Sequence, residues 1–182
     1  YAEGVAPQQA PPDEVGIDGL TVICDLAEKC PSGCFVEVGV YRGGSAWHLA
    51  NVARRQKRAI HLFDTFTGMP HSGNGDSMPV GAFGDTSEDM VRIAIPHAII
   101  HAGVFPETLP PTLRDIAFAH IDCDQYQSVK DCIQTLWPLM VSGGVMYFDD
   151  YGWLSGATTA VDEVFGGNVL PGDFKRVYAV KP

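Results

Sequence analysis

Apolar side chains recur at two spacings along this chain and divide it into alternating helices and strands. Leu20, Ile23, Ala27 and Cys30 share one helical face, and Pro31-Ser32-Gly33 stops the run, so a helix is predicted over 13–30. Cys34-Phe35-Val36-Glu37-Val38-Gly39 is short, apolar and closed by glycine, the pattern of a buried parallel strand. Ser45 offers a cap for a helix reaching about Arg55, with Ala46, Leu49, Ala50 and Ala53 on one face. Further strands are predicted over 59–64, 97–103, 116–122 and 145–149. A helix starts at Thr86, where Thr86-x-x-Asp89 has the form of a capping box. Another runs from about Tyr126 to Met140, with Val129, Cys132, Ile133, Leu136, Trp137 and Met140 at amphipathic spacing, and a last one covers 158–165 and ends at Gly166-Gly167. An apolar stub at Val169-Leu170 and a strand over 174–180, after the turn Pro171-Gly172-Asp173, bring the strands to seven. Such alternation predicts an α/β fold, a doubly wound, mostly parallel sheet with helices on both faces.

Two segments fall outside the rhythm. Residues 1–12 hold three prolines and two glutamines and read as a flexible tail before one domain over 13–182. Residues 67–85 are glycine-rich and aperiodic, and a loop longer than about 12 residues inside a compact domain serves as a lid or binding loop, or is disordered. A lid is the expectation here.

Charge narrows the function classes. Twelve Lys and Arg against 22 Asp and Glu leave a formal charge of −10, which repels a phosphate backbone, so nucleic acid is not an expected partner. No apolar run approaches the roughly 20 residues that span a bilayer, and neither a membrane segment nor a signal peptide is expected. The five cysteines, Cys24, Cys30, Cys34, Cys123 and Cys132, contain no Cys-x-x-Cys pair. They read as reduced, mostly buried thiols of a cytoplasmic protein. His61 and His120 lie in predicted strands and read as satisfied sheet residues, while Arg54, Arg55, Lys57 and Arg58 suit the carboxyl end of a helix.

Three groups of residues carry chemistry. After the first strand, Gly39 permits a sharp turn, and Gly43-Gly44 let backbone approach a ligand at the next helix amino terminus. Tyr41 stands where a dinucleotide site needs its second glycine, and the loop lacks the Lys of a phosphate-binding P-loop. Asp64, 27 residues beyond Glu37, ends the second strand, where a carboxylate can take both hydroxyls of a ribose or cap the following turn. Loop and carboxylate together indicate a nucleoside-containing cofactor. Finally, Asp122 and Asp124 close the fourth strand and Asp149 and Asp150 the fifth. Neighbouring carboxyl ends would crowd four carboxylates at one mouth, and oxygen-only donors predict a hard divalent cation. Asp149 and Asp150 can share one ion only if the strand does not run regularly through both.

Five segments, 35–45, 61–70, 103–110, 121–126 and 148–151, together resemble the macrocin O-methyltransferase family in order and spacing. These are class I enzymes with a Rossmann-like fold that use S-adenosylmethionine and Mg²⁺ to methylate sugar hydroxyls of natural products. The resemblance implies a seven-stranded sheet with an antiparallel last strand. It places Glu37, Gly39, Tyr41, Gly43, Gly44 and Ser45 at the methionine end of the cofactor, Asp64 at its ribose, and Gly103, Val104 and Phe105 beside its adenine. It gives the metal to Asp122, Asp149 and Asp150, and the base to Asp122 or Asp124. The implied partner is a small-molecule hydroxyl acceptor, a sugar or vicinal diol, and a homo-oligomer stays open. Gln125 departs from the family, standing where an apolar residue is more usual, and the segment before the first strand is short. A non-catalytic cofactor-binding module and another Rossmann-like transferase are the alternatives.

Overall fold

The computed structural model describes residues 9–73 and 75–182. Most of the expected tail, residues 1–8, and position 74 of the expected lid lie outside the described residues. In chain order the elements are α1 (Ile17–Lys29), β1 (Cys34–Val38), α2 (Gly44–Arg55), β2 (Ile60–Asp64), α3 (Glu88–Ala94), β3 (Ile99–Ala102), β4 (Ile116–Ile121), α4 (Tyr126–Leu136), β5 (Met140–Phe148), α5 (Ser155–Phe165), β6 (Leu170–Pro171) and β7 (Val177–Val180). They form one seven-stranded sheet in the order β3-β2-β1-β4-β5-β7-β6. The first five strands pair in parallel, and β7 runs antiparallel to both β5 and β6.

Period-two alternation splits the core between the two faces of the sheet. Phe35, Leu62 and Phe118 pack with Ile23, Leu49 and Ala53 of α1 and α2, whereas Val36, Phe63 and Ile121 pack with Val129, Ile133 and Val161 of α4 and α5. Central β4 is buried along its whole length. The rings of Phe35 and Phe118 meet edge to face at 6.0 Å, and truncating either to alanine would cost about 3–5 kcal/mol.

Several boundaries differ from the sequence expectations for local chemical reasons. Gly43, left-handed at φ 88°, precedes α2 in place of the expected Ser45 cap, because Ser45 spends its hydroxyl on Glu37. Ser87 rather than Thr86 caps α3, accepting from the Met90 N–H, while the Thr86 hydroxyl donates to the carbonyl of Tyr41. The helix expected as far as Met140 ends at Leu136, where Pro138 converts the last turn to a 3₁₀ segment, Trp137–Leu139. β5 then starts five residues early, pairing Met140 with Ile116 before an irregularity and resuming at Val145 opposite Phe118. β3 and β7 are shorter than expected, and α5 starts three residues early.

Candidate active site

All the parallel strands deliver their carboxyl ends to one edge, and a cavity lies there between the loops after β1, β2, β3, β4 and β5. Of the residues singled out from the sequence, Gly39, Tyr41, Gly44, Ser45, Asp64, Gly103, Phe105, Asp122, Asp124, Asp149 and Asp150 line it. Glu37, Gly43 and Val104 do not.

The turn after β1 is possible only with glycine. Gly39 has φ 88°, and a Cβ there would lie 1.6 Å from the carbonyl oxygen of Asp122 on the neighbouring strand. Gly44 likewise makes room for Asp13, whose Cβ a side chain would meet at 2.4 Å, so residues 12–15 reach the cavity rim. Asp64 holds the turn from below. One of its oxygens accepts the N–H groups of Val40 and Tyr41 at 2.7 and 2.8 Å, and the other accepts that of Phe66 at 2.7 Å. A carboxylate has about four acceptor positions, so these three bonds leave room for little more than one further donor. Glu37 is fully buried behind the turn and takes the Ser45 hydroxyl at 2.6 Å.

Across the cavity, β5 ends at Phe148, ahead of both acidic residues, and the backbone bends there. That break lets Asp149 and Asp150 serve the same side, which a regular strand would forbid. Asp122, Asp149 and Asp150 each offer an oxygen within 4.8 Å of the others. That span is twice a Ca–O distance of about 2.4 Å and slightly more than twice a Mg–O distance of about 2.1 Å, so one hard cation fits with little side-chain movement. Asp124, left-handed at φ 59°, donates its N–H to Asp150 at 2.9 Å.

Without a cation the cluster is electrostatically strained. Burial first, then the charges on Asp149 and Asp150, hold Asp122 well above the usual carboxylate range. Asp150 is raised in the same way, by burial and then by Asp124 and Asp149. Burial, with Asp149 nearby, pushes Asp124 up to about 6. Asp149 goes the other way: burial opposes its charge, but His120 and Arg176 outweigh it and lower its pKa.

Both of those partners escaped the sequence reading. Arg176 Nε lies 2.6 Å from Asp149, and the same guanidinium reaches Asp173 at 2.9 Å and the carbonyl of Val15 at 3.1 Å. His120, assigned from sequence to the sheet, sits fully buried between Glu37 at 3.6 Å and Asp149 at 3.8 Å. Burial opposes its charge, yet the two carboxylates raise its pKa well above the ordinary value. A signal for His120 was present, since a histidine two positions before Asp122 in a parallel strand faces the same way as Asp122. Arg176 gave none.

The loop over 67–85 supplies a further wall through Gly68, Met69, Pro70, Ala82 and Phe83. Buried Gln125 accepts the His71 N–H at 2.9 Å and donates its amide to the His71 carbonyl. Asp76 accepts the Tyr126 N–H at 2.8 Å, and Asp85 joins Arg42 and the Tyr41 hydroxyl.

A family model described as a methyltransferase domain matches residues 36–151. A Streptomyces olivaceus protein, 8-demethyl-8-(2,3-dimethoxy-α-L-rhamnosyl)-tetracenomycin-C 4′-O-methyltransferase, is 33% identical over 147 residues, covering 69% of this chain and 55% of that protein. Demethyldecarbamoylnovobiocin O-methyltransferase of Streptomyces niveus is 29% identical over 155 residues, covering 72% and 57%. The chain thus spans little more than half the length of these curated relatives. Among solved structures, the O-methyltransferase NovP superposes with a TM-score of 0.81 at 26% identity, covering 91% of this chain and 80% of that one. Calicheamicin methyltransferase CalS11 shares the fold, with a TM-score of 0.73 at 22% identity over 88% and 76%. The matched stretch runs from β1 through the acidic pair that follows β5 and so contains both halves of the cavity: this chain belongs to the methyltransferase-domain family.

Proposed function

We propose that this chain is an S-adenosylmethionine-dependent O-methyltransferase acting on a hydroxyl of a natural product, on a sugar or another vicinal diol, with a hard divalent cation held by Asp122, Asp149 and Asp150. The observation that carries this reading is the convergence of those three carboxylates, within 4.8 Å, in the same cavity as the Gly39 turn. A glycine turn alone suits many nucleoside ligands; a hard-cation site beside it suits a reaction in which an oxygen acceptor is oriented. The names of the Streptomyces relatives point to glycosylated acceptors. Free cysteines and the absence, among the described residues, of a helix long and apolar enough to cross a membrane fit a cytoplasmic setting.

When bound, the cofactor supplies a methyl group on a sulfonium, whose C–S bond breaks with its electron pair left on sulfur as the acceptor C–O bond forms. A cation at the three carboxylates would lower the acceptor hydroxyl pKa and fix its orientation. The chain's own residues do the remainder. Gly39 lets the chain turn tightly against the end of β4, Gly44 lets residues 12–15 close on the cavity rim, and Ser45, tied to Glu37, fixes the first turn of α2. Asp122 or Asp124, both on the cavity wall, takes the hydroxyl proton. Holding the two reactants in line can account for about 7 to 11 kcal/mol of the barrier.

Calorimetric titration with S-adenosylmethionine, S-adenosylhomocysteine and NAD⁺, each with Mg²⁺ and with chelator, tests the reading. Binding of both adenosyl ligands but not NAD⁺ is expected. Absence of adenosyl binding under both conditions would sink it.

A further inference from the structure

A buried polar row runs behind the cavity. Glu37 on β1 is the register partner of His120 on β4, and His120 that of Tyr147 on β5, so the three side chains leave the same face of the sheet. Asp149 follows two residues after Tyr147, and Ser45, in the first turn of α2, donates its hydroxyl to Glu37 at 2.6 Å. Four of the six buried polar or charged side chains among the described residues, Ser45, Glu37, His120 and Asp149, belong to this row. An interior that apolar side chains could fill keeps them at a desolvation cost, which points to a task beyond packing.

The two ends of the row lie in the two halves of the cavity. Ser45, beside the Gly39 turn, and Asp149, in the carboxylate cluster, both line it, whereas Glu37 and His120 stay behind the wall. Neither contact of His120 is closed. Its Nδ1 stands 3.6 Å from Glu37 Oε2 and its Nε2 3.8 Å from Asp149 Oδ1, too long for hydrogen bonds, and all four atoms are buried without a hydrogen-bond partner. Movement of about half an ångström on each side would convert both contacts into hydrogen bonds.

The imidazole is one rigid ring, so a carboxylate that fixes one side of it also fixes the side that the other carboxylate must meet. A ligand that orders Ser45 and Glu37 thereby orders Asp149, and a cation that orders Asp149 thereby orders Glu37. Whichever binds second finds its end of the row already in place.

We infer that His120 is a positioning residue that couples the two halves of the site, so that the cofactor and the hard divalent cation each tighten the binding of the other through Glu37 and Asp149. This rests on the methyltransferase reading above. His120 acts through its two neighbours and takes no part in bond making.

The test measures binding to the full chain, without turnover. S-adenosylhomocysteine stands in for the cofactor, because it lacks the sulfonium charge that would itself repel a cation, and its affinity is read by calorimetry with and without Mn²⁺. Mn²⁺ is the cation probe, suited to oxygen donors, and its affinity with and without S-adenosylhomocysteine is read from the paramagnetic resonance of the free ion. In the unsubstituted chain each is expected to tighten the other about five- to tenfold, by the same factor in both directions. Two variants then separate coupling from packing. His120→Asn keeps an amide near the place of Nδ1, toward Glu37, and His120→Gln keeps one near the place of Nε2, toward Asp149. His120→Asn is expected to weaken Mn²⁺ more than S-adenosylhomocysteine and His120→Gln the reverse, and either should bring the coupling factor to about 1. Equal losses of both ligands in both variants, as damaged packing alone would give, overturn the inference, and so does coupling that survives both substitutions. The first comparison needs no variant. Independent binding of the two ligands to the unsubstituted chain, or binding of S-adenosylhomocysteine alone, overturns the inference and leaves the methyltransferase reading standing. Failure of S-adenosylhomocysteine to bind, with or without Mn²⁺, takes down both.

Discussion

Burial and the charges of Asp149 and Asp150 raise the pKa of Asp122, so at neutral pH its ionisation opposes folding. The unfolded chain releases that proton near pH 4, the folded chain only at higher pH, and the cost therefore grows as pH rises above the unfolded value. Asp122→Asn should stabilise the cation-free protein at pH 7, with the gain vanishing near pH 4. The same substitution should abolish the rise in melting temperature that Mg²⁺ gives the unsubstituted chain; thermal unfolding with Mg²⁺ and with chelator measures both. His61 works with the opposite sign. Its ring stacks on His101 in the adjacent strand, with Nδ1 and Nε2 2.9 Å apart, and burial, then the His101 charge, lower its pKa to about 4. The neutral form is favoured on folding, so this contribution is complete above the unfolded value near 6.5 and is lost as pH falls from there to about 4. His61→Gln should flatten that acid limb by about 1 to 2 kcal/mol, after discounting for a half-exposed ring. Denaturant melts at pH 7 and pH 4.5 would show it, and an unchanged difference between them would refute it.

The loop over 67–85 is where sequence and structure inform each other most at the level of elements. Its length and lack of period were legible, and it contains no helix or strand among its described residues. What holds it was not legible, because Gln125 lies 54 residues from His71 and nothing local marks an amide that meets a distant backbone. Gln125 is the clasp. Gln125→Leu would leave the His71 N–H and carbonyl without buried partners, at about 1–3 kcal/mol each if the loop stayed in place, so the loop should release instead. Cleavage within 67–85 under limited proteolysis should quicken several-fold while the melting temperature moves little. Equal cleavage rates would show that the clasp does not hold the loop. Helix ends follow the same rule: Pro138, visible in the sequence, ends α4, but the early start of β5 depends on its pairing with Ile116.

For the molecule as a whole, Arg176 ties together three distant segments: the carbonyl of Val15 before α1, Asp149 after β5, and Asp173 before β7. Asp173 also accepts the Tyr147 hydroxyl at 2.5 Å, so the network reaches the carboxyl end of β5. Arg176→Ala strands two nearly buried carboxylates and should cost about 3–5 kcal/mol, read as a lower denaturation midpoint. Arg176→Lys should recover less than half, since one ammonium cannot match the planar guanidinium across three acceptors. Full recovery by lysine would mean that charge alone, without geometry, is what the site requires.

By itself the sequence determined the alternation of strands and helices, the glycine turn after β1 and the placing of acidic residues at strand carboxyl ends. Each of these is written in the spacing of near neighbours, where period, caps and turn residues act over a few positions. Only the tertiary structure decided that β5 ends early enough for Asp149 and Asp150 to face one point. It also decided that His120 and Arg176 flank Asp149, and that Gln125 fastens a loop. Those depend on segments separated by tens of residues meeting across a sheet, and the free energy of such meetings comes from burial and charge summed over the whole fold. No short stretch of sequence carries that sum.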